Sequence, residues 1–414
     1  MKNAILANLD NPGQLERLYR EDKPGFKRAF QAAYPEQPDN PLLGFWHARL
    51  TYASEEVSGG SRQELVFVII ASLLAGLIAK LPAIFALNEE FFYPRNVGFI
   101  VFPLLSAYFA WKNRLSPGKS AFVVGASLAG LVYINLLPDV KTSDTLLLSC
   151  VHLLLFLWSV LGFTYAGGIS RSPEPRLRFL KYNGDLVVIT TLILIAGVLM
   201  TGITIGLFSL IGINIEQFYV QYVVVFGLAA APIVGTYLTQ ANPQLVGRVS
   251  PVIARIFSPL VLVMLVIYLV AMVYSGKDPY NDREFLLIFN ALLIGVMAII
   301  FFSVSESSRS SKTRPEVWVL ALLSAVTIVV NGVALSAILF RISTWGITPN
   351  RAAVLGGNVL ILINLLLVTT QLFRAASQKR SLGGVGEVIA RYLPVYFVWT
   401  VIVTFLFPLF FNLK

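Results

Sequence analysis

The chain has 414 residues, of which 56% are hydrophobic and 13% charged. Soluble globular chains carry about 25% charged residues, and half of that cannot clothe a water-facing surface, so a soluble fold is excluded for most of the length. The net charge of +10 does not point to nucleic acid, because no basic stripe is interleaved with aromatic side chains; excess Lys and Arg of this kind belong in cytoplasmic loops that face anionic lipid.

Residues 1–63 have the composition of a soluble segment. Leu15, Leu18 and Tyr19 share one helical face, Phe26 and Phe30 a second, and Leu42, Phe45, Trp46 and Leu50 a third. Asn11-Pro12-Gly13, Pro24-Gly25 and the stretch from Pro35 to Pro41 punctuate them. The pattern predicts two or three short helices, and the run Ser58-Gly59-Gly60-Ser61 predicts a flexible link to the apolar remainder of the chain. The first residues lack the apolar core of a signal peptide, so the segment is expected in the cytoplasm, where it is available to a protein partner.

From Glu64 onward, apolar runs recur at lengths suited to crossing a hydrocarbon core, for which about 20 residues suffice. They predict eleven spans near 64–87, 96–111, 120–138, 146–167, 185–210, 218–239, 257–275, 286–305, 317–340, 354–373 and 393–412. The fold class is thus all-α, a polytopic transmembrane helix bundle (64–414) behind a helical N-terminal segment (1–63). With the N-terminus inside, about three-quarters of the 32 Lys and Arg fall on the inner side. The bias alternates loop by loop, which predicts a C-terminus on the opposite face. Membrane lipids are the expected surroundings.

Chemistry-bearing motifs are scarce. Gly118-Lys119-Ser120 lacks the first glycine of a phosphate loop, since Asn113 stands there. His47 and His152 are the two histidines, and no His–carboxylate cluster suggests a metal. Cys150 is the single cysteine, so neither a disulfide within the chain nor a Cys-based metal site is available. No cofactor is expected. Ionisable residues inside a membrane are functional candidates by default. Here they reduce to Lys80, which suits snorkelling to the interface, and His152, which suits hydrogen-bonded packing better than a proton relay. No Asp or Glu is expected deep in a span. Asn135, Asn290, Asn331, Asn358 and Asn364 are the neutral polar residues at depth, able to join helices or to line a cavity.

The densest unusual stretch is Arg341-Ile-Ser-Thr-Trp345-Gly-Ile-Thr348-Pro349-Asn-Arg351. Thr348 suits a helix cap and Pro349 the first turn after it. Arg341 and Arg351, with Trp345 and Thr348, are candidates for binding lipid phosphate or another polyanion. They equally suit pairing with acidic residues on the same side, or anchoring at the interface. Trp345-Gly-Ile-Thr-Pro-Asn-Arg351 resembles the Tyr-Gly-Leu-Thr-Pro-Asn-Arg signature of an uncharacterised bacterial membrane family, domain of unknown function 4153. The multi-span pattern and the soluble prefix resemble that family as well. The resemblance implies a bacterial inner-membrane protein and carries no activity with it.

Three functions are compatible with these residues. The first is transport or permeation of a small molecule or lipid-linked intermediate, favoured by many spans, by buried amides and by prolines that free backbone carbonyls. The second is a signalling or scaffold protein using residues 1–63. The third, an enzyme on a lipid or envelope substrate, lacks a general base or metal site.

Overall fold

The computed structural model describes residues 1–37, 40–51, 61–140, 142–170, 172–210, 214–241, 258–263, 265–267, 269–270, 280, 283–306, 314–378 and 382–413. Among these residues the regular structure is helical throughout. The chain divides into two units, Met1–Gly59 and Gly60–Lys414.

The N-terminal unit holds α1 (Lys2–Leu6), α2 (Pro12–Glu21), α3 (Lys23–Ala33) and α4 (Pro41–Thr51). The Asn/Asp and Pro punctuation works as helix starts. Asn11 Oδ1 accepts from the Gln14 N–H at 3.1 Å, Asp22 Oδ1 from Gly25 at 2.9 Å, and Asn40 Oδ1 from Leu42 at 2.9 Å. Each side chain satisfies a donor that the first helical turn leaves open. Ile5, Leu15, Phe26, Phe30, Leu43 and Trp46 form the core. One detail departs from the sequence pattern: α4 buries Leu43 with Trp46, and Phe45 points outward, 62% exposed. Leu43 and Trp46, three residues apart, define the buried face, and Phe45 lies outside it. Helix α1, whose Ile5 is fully buried, is too short to register as a periodic pattern.

The second unit begins with α5 (Arg62–Phe85), α6 (Glu89–Lys112), α7 (Pro117–Leu136), α8 (Asp144–Tyr165) and α9 (Glu174–Leu210). It continues with α10 (Glu216–Ala241), the short α11 (Ser258–Ile267), α12 (Arg283–Glu306), α13 (Arg314–Trp345), α14 (Pro349–Gln378) and α15 (Gly383–Phe410). Among the described residues eight of these are long and apolar enough to cross a membrane: α5, α7, α8, α9, α10, α13, α14 and α15. The protein is a multi-pass membrane protein. Helix α6 is as long as α5 but carries Arg95, Asn96 and two prolines, which dilute its apolar character. Of the expected span at 257–275, the described part is the short apolar α11, and positions 257, 264, 268 and 271–275 lie outside the described residues. The exposed face of α5 is Leu65, Val66, Ile69, Ile70, Leu73, Leu74 and Leu77. A contiguous apolar face of this size is unfavourable in water and suits lipid.

Helix α9 starts at Glu174, eleven residues before the expected span, and its 37 residues extend for about 55 Å. Nothing in Arg176–Gly184 breaks a helix, and its apolar members Phe179, Leu180 and Tyr182 are buried. Asp185, expected at the mouth of a span, is instead buried three turns into the helix. That corrects the expectation that no carboxylate lies deep in the bundle.

Prolines within helices remove a donor from the carbonyl four residues earlier. On α15, Pro394 does this to Ala390 and Pro408 to Thr404. Both carbonyls are met from neighbouring helices: Arg176 Nη1 donates to Ala390 O at 3.2 Å, and Ser149 Oγ to Thr404 O at 2.8 Å. Tyr133 OH donates to Phe405 O at 2.9 Å in the same π-helical turn, Ile402–Leu406. These bonds tie α15 to α7, α8 and α9. At the start of α5, Glu64 and Ser61 form a reciprocal capping box. Glu64 also pairs with Lys112 Nζ at 2.8 Å, linking the first turn of α5 to the last of α6.

Bulky rings fill notches left by glycine. A Cβ at Gly356 would overlap the indole of Trp399, and one at Gly184 the ring of Phe302. Gly356→Ala should therefore destabilise the bundle by about 1–3 kcal/mol, measured as a drop in the thermal midpoint. An unchanged midpoint would mean that Trp399 swings aside without loss. In the N-terminal unit, hydrogen bonds from Arg20 at 2.9 Å and Arg49 at 2.7 Å hold the Glu16 carboxyl below its ordinary pKa. A native pKa below the unfolded one gives stability that is complete above the unfolded value and is lost as pH falls through the native value. The protection factors of the α2 amides, corrected for the pH dependence of intrinsic exchange, should thus fall on acidification below the usual carboxylate range, and Glu16→Gln should flatten that response.

Candidate functional site

Helices α13 and α14 form a hairpin whose turn contains the candidate arginines. Gly346 adopts φ +75°, the left-handed conformation that glycine reaches without strain, and its N–H closes α13 on the Ile342 carbonyl at 2.9 Å. Thr348 Oγ1 then accepts from the Arg351 N–H at 3.3 Å, capping α14 ahead of Pro349. Arg351 Nη1 donates back to Trp345 O at 3.0 Å and Gly346 O at 2.7 Å. Arg341 is buried, with Nε donating to Tyr280 O at 2.7 Å. The guanidinium carbons of Arg341 and Arg351 lie 5.9 and 5.6 Å from the Trp345 ring centre. The structure thus gathers Arg341, Trp345, Thr348 and Arg351 into one basic turn around a half-exposed indole. Part of each arginine's capacity is already committed to backbone carbonyls, and those that Arg351 meets are ones a helix end leaves open.

The predicted amides do not converge on a single site. Asn331 Nδ2 donates to the Asn358 backbone carbonyl at 3.1 Å across α13 and α14. Asn364, on the other side of α14, donates to Tyr396 OH of α15 at 2.9 Å, and that hydroxyl donates to Met297 Sδ of α12 at 3.3 Å. Asn290 lies on α12, its Oδ1 buried without a partner. Asn331 Oδ1, Asn358 Nδ2 and Asn364 Oδ1 are likewise unmatched. A buried polar atom left so costs about 1–3 kcal/mol. His152 packs with Nδ1 at 2.9 Å from the Leu148 carbonyl of its own helix, the bonded packing expected for it. Lys80 Nζ sits 4.6 Å from the Tyr222 ring centre.

Arg95 reads in the sequence as a cation of an outer loop, and the structure places it elsewhere. It is 3% exposed and closes the end of α7. Its Nη1 donates to Ile134 O at 2.5 Å and Leu137 O at 3.0 Å, and Nη2 to Pro138 O at 3.3 Å. Asp139 Oδ1 lies 3.5 Å away. The adjacent Asn96 forms a closed amide pair with Asn135, at 3.0 and 2.8 Å in the two directions. The signal that could have revealed both was the cluster Pro94-Arg95-Asn96 inside a segment otherwise apolar enough to enter a membrane.

Beside that pair lies a groove of about 620 Å³. One stripe of α6, from Phe92 through Asn96, Phe99, Pro103 and Ser106 to Ala110, forms its floor. Ile78 and Leu81 of α5 wall one side, and the face of α7 from Ser120 to Leu131 the other. The eighteen helical rises from Phe92 to Ala110 make about 27 Å, close to the thickness of a hydrocarbon core. Pro103 has no N–H for the Phe99 carbonyl, and Pro82 none for Ile78. Both proline-released residues line the groove, and among the described residues no side chain donates to either carbonyl. On α15 the equivalent carbonyls are matched.

Comparison of the chain with protein families, with curated proteins and with solved structures found no match.

Replacing Arg95 by Met keeps the length of the side chain and removes every donor from the end of α7. Loss of the cap should cost about 1–3 kcal/mol and lower the thermal midpoint. An Arg95→Met protein as stable as the parent would show that the carbonyls find other donors.

Proposed function

We propose that the protein transports or admits a lipid-like intermediate in a bacterial cytoplasmic membrane. The observation that carries this reading is the lengthwise groove between α5, α6 and α7. Its walls are apolar apart from Asn96, Ser106, Ser120 and Ser127, its length matches the hydrocarbon core, and Pro82 and Pro103 release the carbonyls of two lining residues, Ile78 and Phe99. That is a surface suited to a chain-like apolar molecule bearing an occasional hydrogen-bond donor, more than to an ion or a sugar. Eight of the eleven apolar runs of the sequence coincide with the helices of spanning length among the described residues, and the other three would complete eleven spans. The alternating Lys/Arg bias supports an arrangement with the N-terminus inside and the C-terminus outside. In that arrangement the basic Arg341–Arg351 turn lies at the outer headgroup level, within reach of lipid phosphate.

A second reading, a signalling or scaffold role, is favoured by one observation: Phe45 projects from a helix of the N-terminal unit, 62% exposed, beside a well-packed core. An isolated large aromatic of this kind suits an anchor for a cytoplasmic protein.

A photoreactive residue placed at Leu128, on the groove wall, should capture a discrete lipid that survives purification. The same residue at Ile70, on the open face of α5, should capture only bulk lipid. Ala107→Trp, which fills the groove, should lose most of the retained species. Identical capture at both positions, unaffected by Ala107→Trp, would sink the reading, and loss of a bound cytoplasmic protein on Phe45→Ala would favour the second.

A further inference from the structure

The unmatched amide atoms of α13 and α14 include two neighbours of opposite hydrogen-bonding sense. Asn331 is 0% and Asn358 3% exposed. The bond from Asn331 Nδ2 to the Asn358 carbonyl holds the two residues against each other. What remains is Asn331 Oδ1, an acceptor, and Asn358 Nδ2, a donor, neither with a protein partner.

Turning either amide over does not resolve the mismatch. Flipping Asn331 would aim Oδ1 at the Asn358 carbonyl, setting acceptor against acceptor. Flipping Asn358 would replace the unmatched donor by a second unmatched acceptor. Neighbouring side chains offer no relief: Val330, Ala334 and Ile361 are apolar and buried. The hydroxyl of Thr327, one turn earlier on α13, already donates to Leu323 O at 2.6 Å.

We propose that Asn331 and Asn358 form a binding site between α13 and α14 for a small neutral molecule carrying both a donor and an acceptor, water being the smallest. Such a guest donates to Asn331 Oδ1 and accepts from Asn358 Nδ2, completing both amides at once. A cation would face the Asn358 donor and an anion the Asn331 acceptor, so either ion is opposed by half of the site. Buried water in proteins is held by two to four polar partners, and the two amides supply the minimum. The site is built on helices other than those of the α5–α7 groove and does not depend on the lipid reading.

The test uses the full-length protein in lipid nanodiscs. A structure at a resolution that shows ordered water should place density within hydrogen-bonding distance of both Asn331 Oδ1 and Asn358 Nδ2. Density for one oxygen identifies water, and a larger body identifies a solute retained through purification. Asn358→Leu removes the donor at similar volume and should lower Tm by about 2–4 °C, because the guest is lost. Deleting a donor that had no guest would leave Tm unchanged or raise it. Empty density, the two amides bonded directly to one another, or an Asn358→Leu protein as stable as the parent would each overturn the proposal. The density measurement needs no variant, so a variant that fails to fold leaves the question decidable.

Discussion

In hydrocarbon no water is present to bond a backbone N–H or C=O, so each such group has to be answered from within the protein. Much of the membrane unit is a consequence of that constraint. Helices satisfy their interiors by themselves, but helix ends and prolines leave carbonyls over. Arg95 answers those at the end of α7, and Arg351 those at the end of α13. Arg176 and Ser149 answer the two that Pro394 and Pro408 release on α15. These side chains come from other helices or from across a turn, so the bonds that complete the backbone are also the bonds that order the bundle. Cationic donors suit the task, because the charge is set against the negative end of a helix dipole.

Along the groove the constraint is left open. Pro82 and Pro103 release carbonyls in the same way as the prolines of α15, yet among the described residues no side chain comes to meet them. The packing there is also the reverse of the packing elsewhere. At Gly184 and Gly356 a ring from a neighbouring helix enters the notch, whereas along α6 the small residues Ser106, Ala107 and Ala110 border open space. Small side chains are therefore used in two ways: to bring helices together, and to leave open space between them. The α13–α14 hairpin is an approach of the first kind, with amides rather than rings at the contact.

Legibility in the sequence varied with the range of the interaction. Apolar runs and loop charges are local, and the helices appear where those runs stand. The breaks between the N-terminal helices were visible as the punctuation at Asn11-Pro12-Gly13, Pro24-Gly25 and Pro35 to Pro41, whereas the capping by Asp22 and Asn40 was not. The turn at Trp345–Arg351 was visible too, including Thr348 as cap. Other features needed partners far away in sequence. Arg95 looks like a loop cation until the end of α7, about forty residues later, arrives beside it. Asp185 looks like a boundary residue until Arg176–Gly184 proves helical and packed. Phe45 belongs to the apparent apolar face of α4 until Leu43 and Trp46 pack into the core and leave it outside.

By itself the sequence determined that this is a helical membrane protein with a separate N-terminal unit, because hydropathy and capping are properties of adjacent residues. It also singled out Asn135, Asn290, Asn331, Asn358 and Asn364 as polar candidates, though not Asn96. Only the tertiary structure decided what they and the arginines do: that Asn96 and Asn135 close on each other, that Arg341 and Arg351 share one indole, and that Asn331 and Asn358 meet with an unmatched acceptor and donor. Hydrogen bonds between helices depend on fine rotation and register, and no pattern along a single helix specifies either.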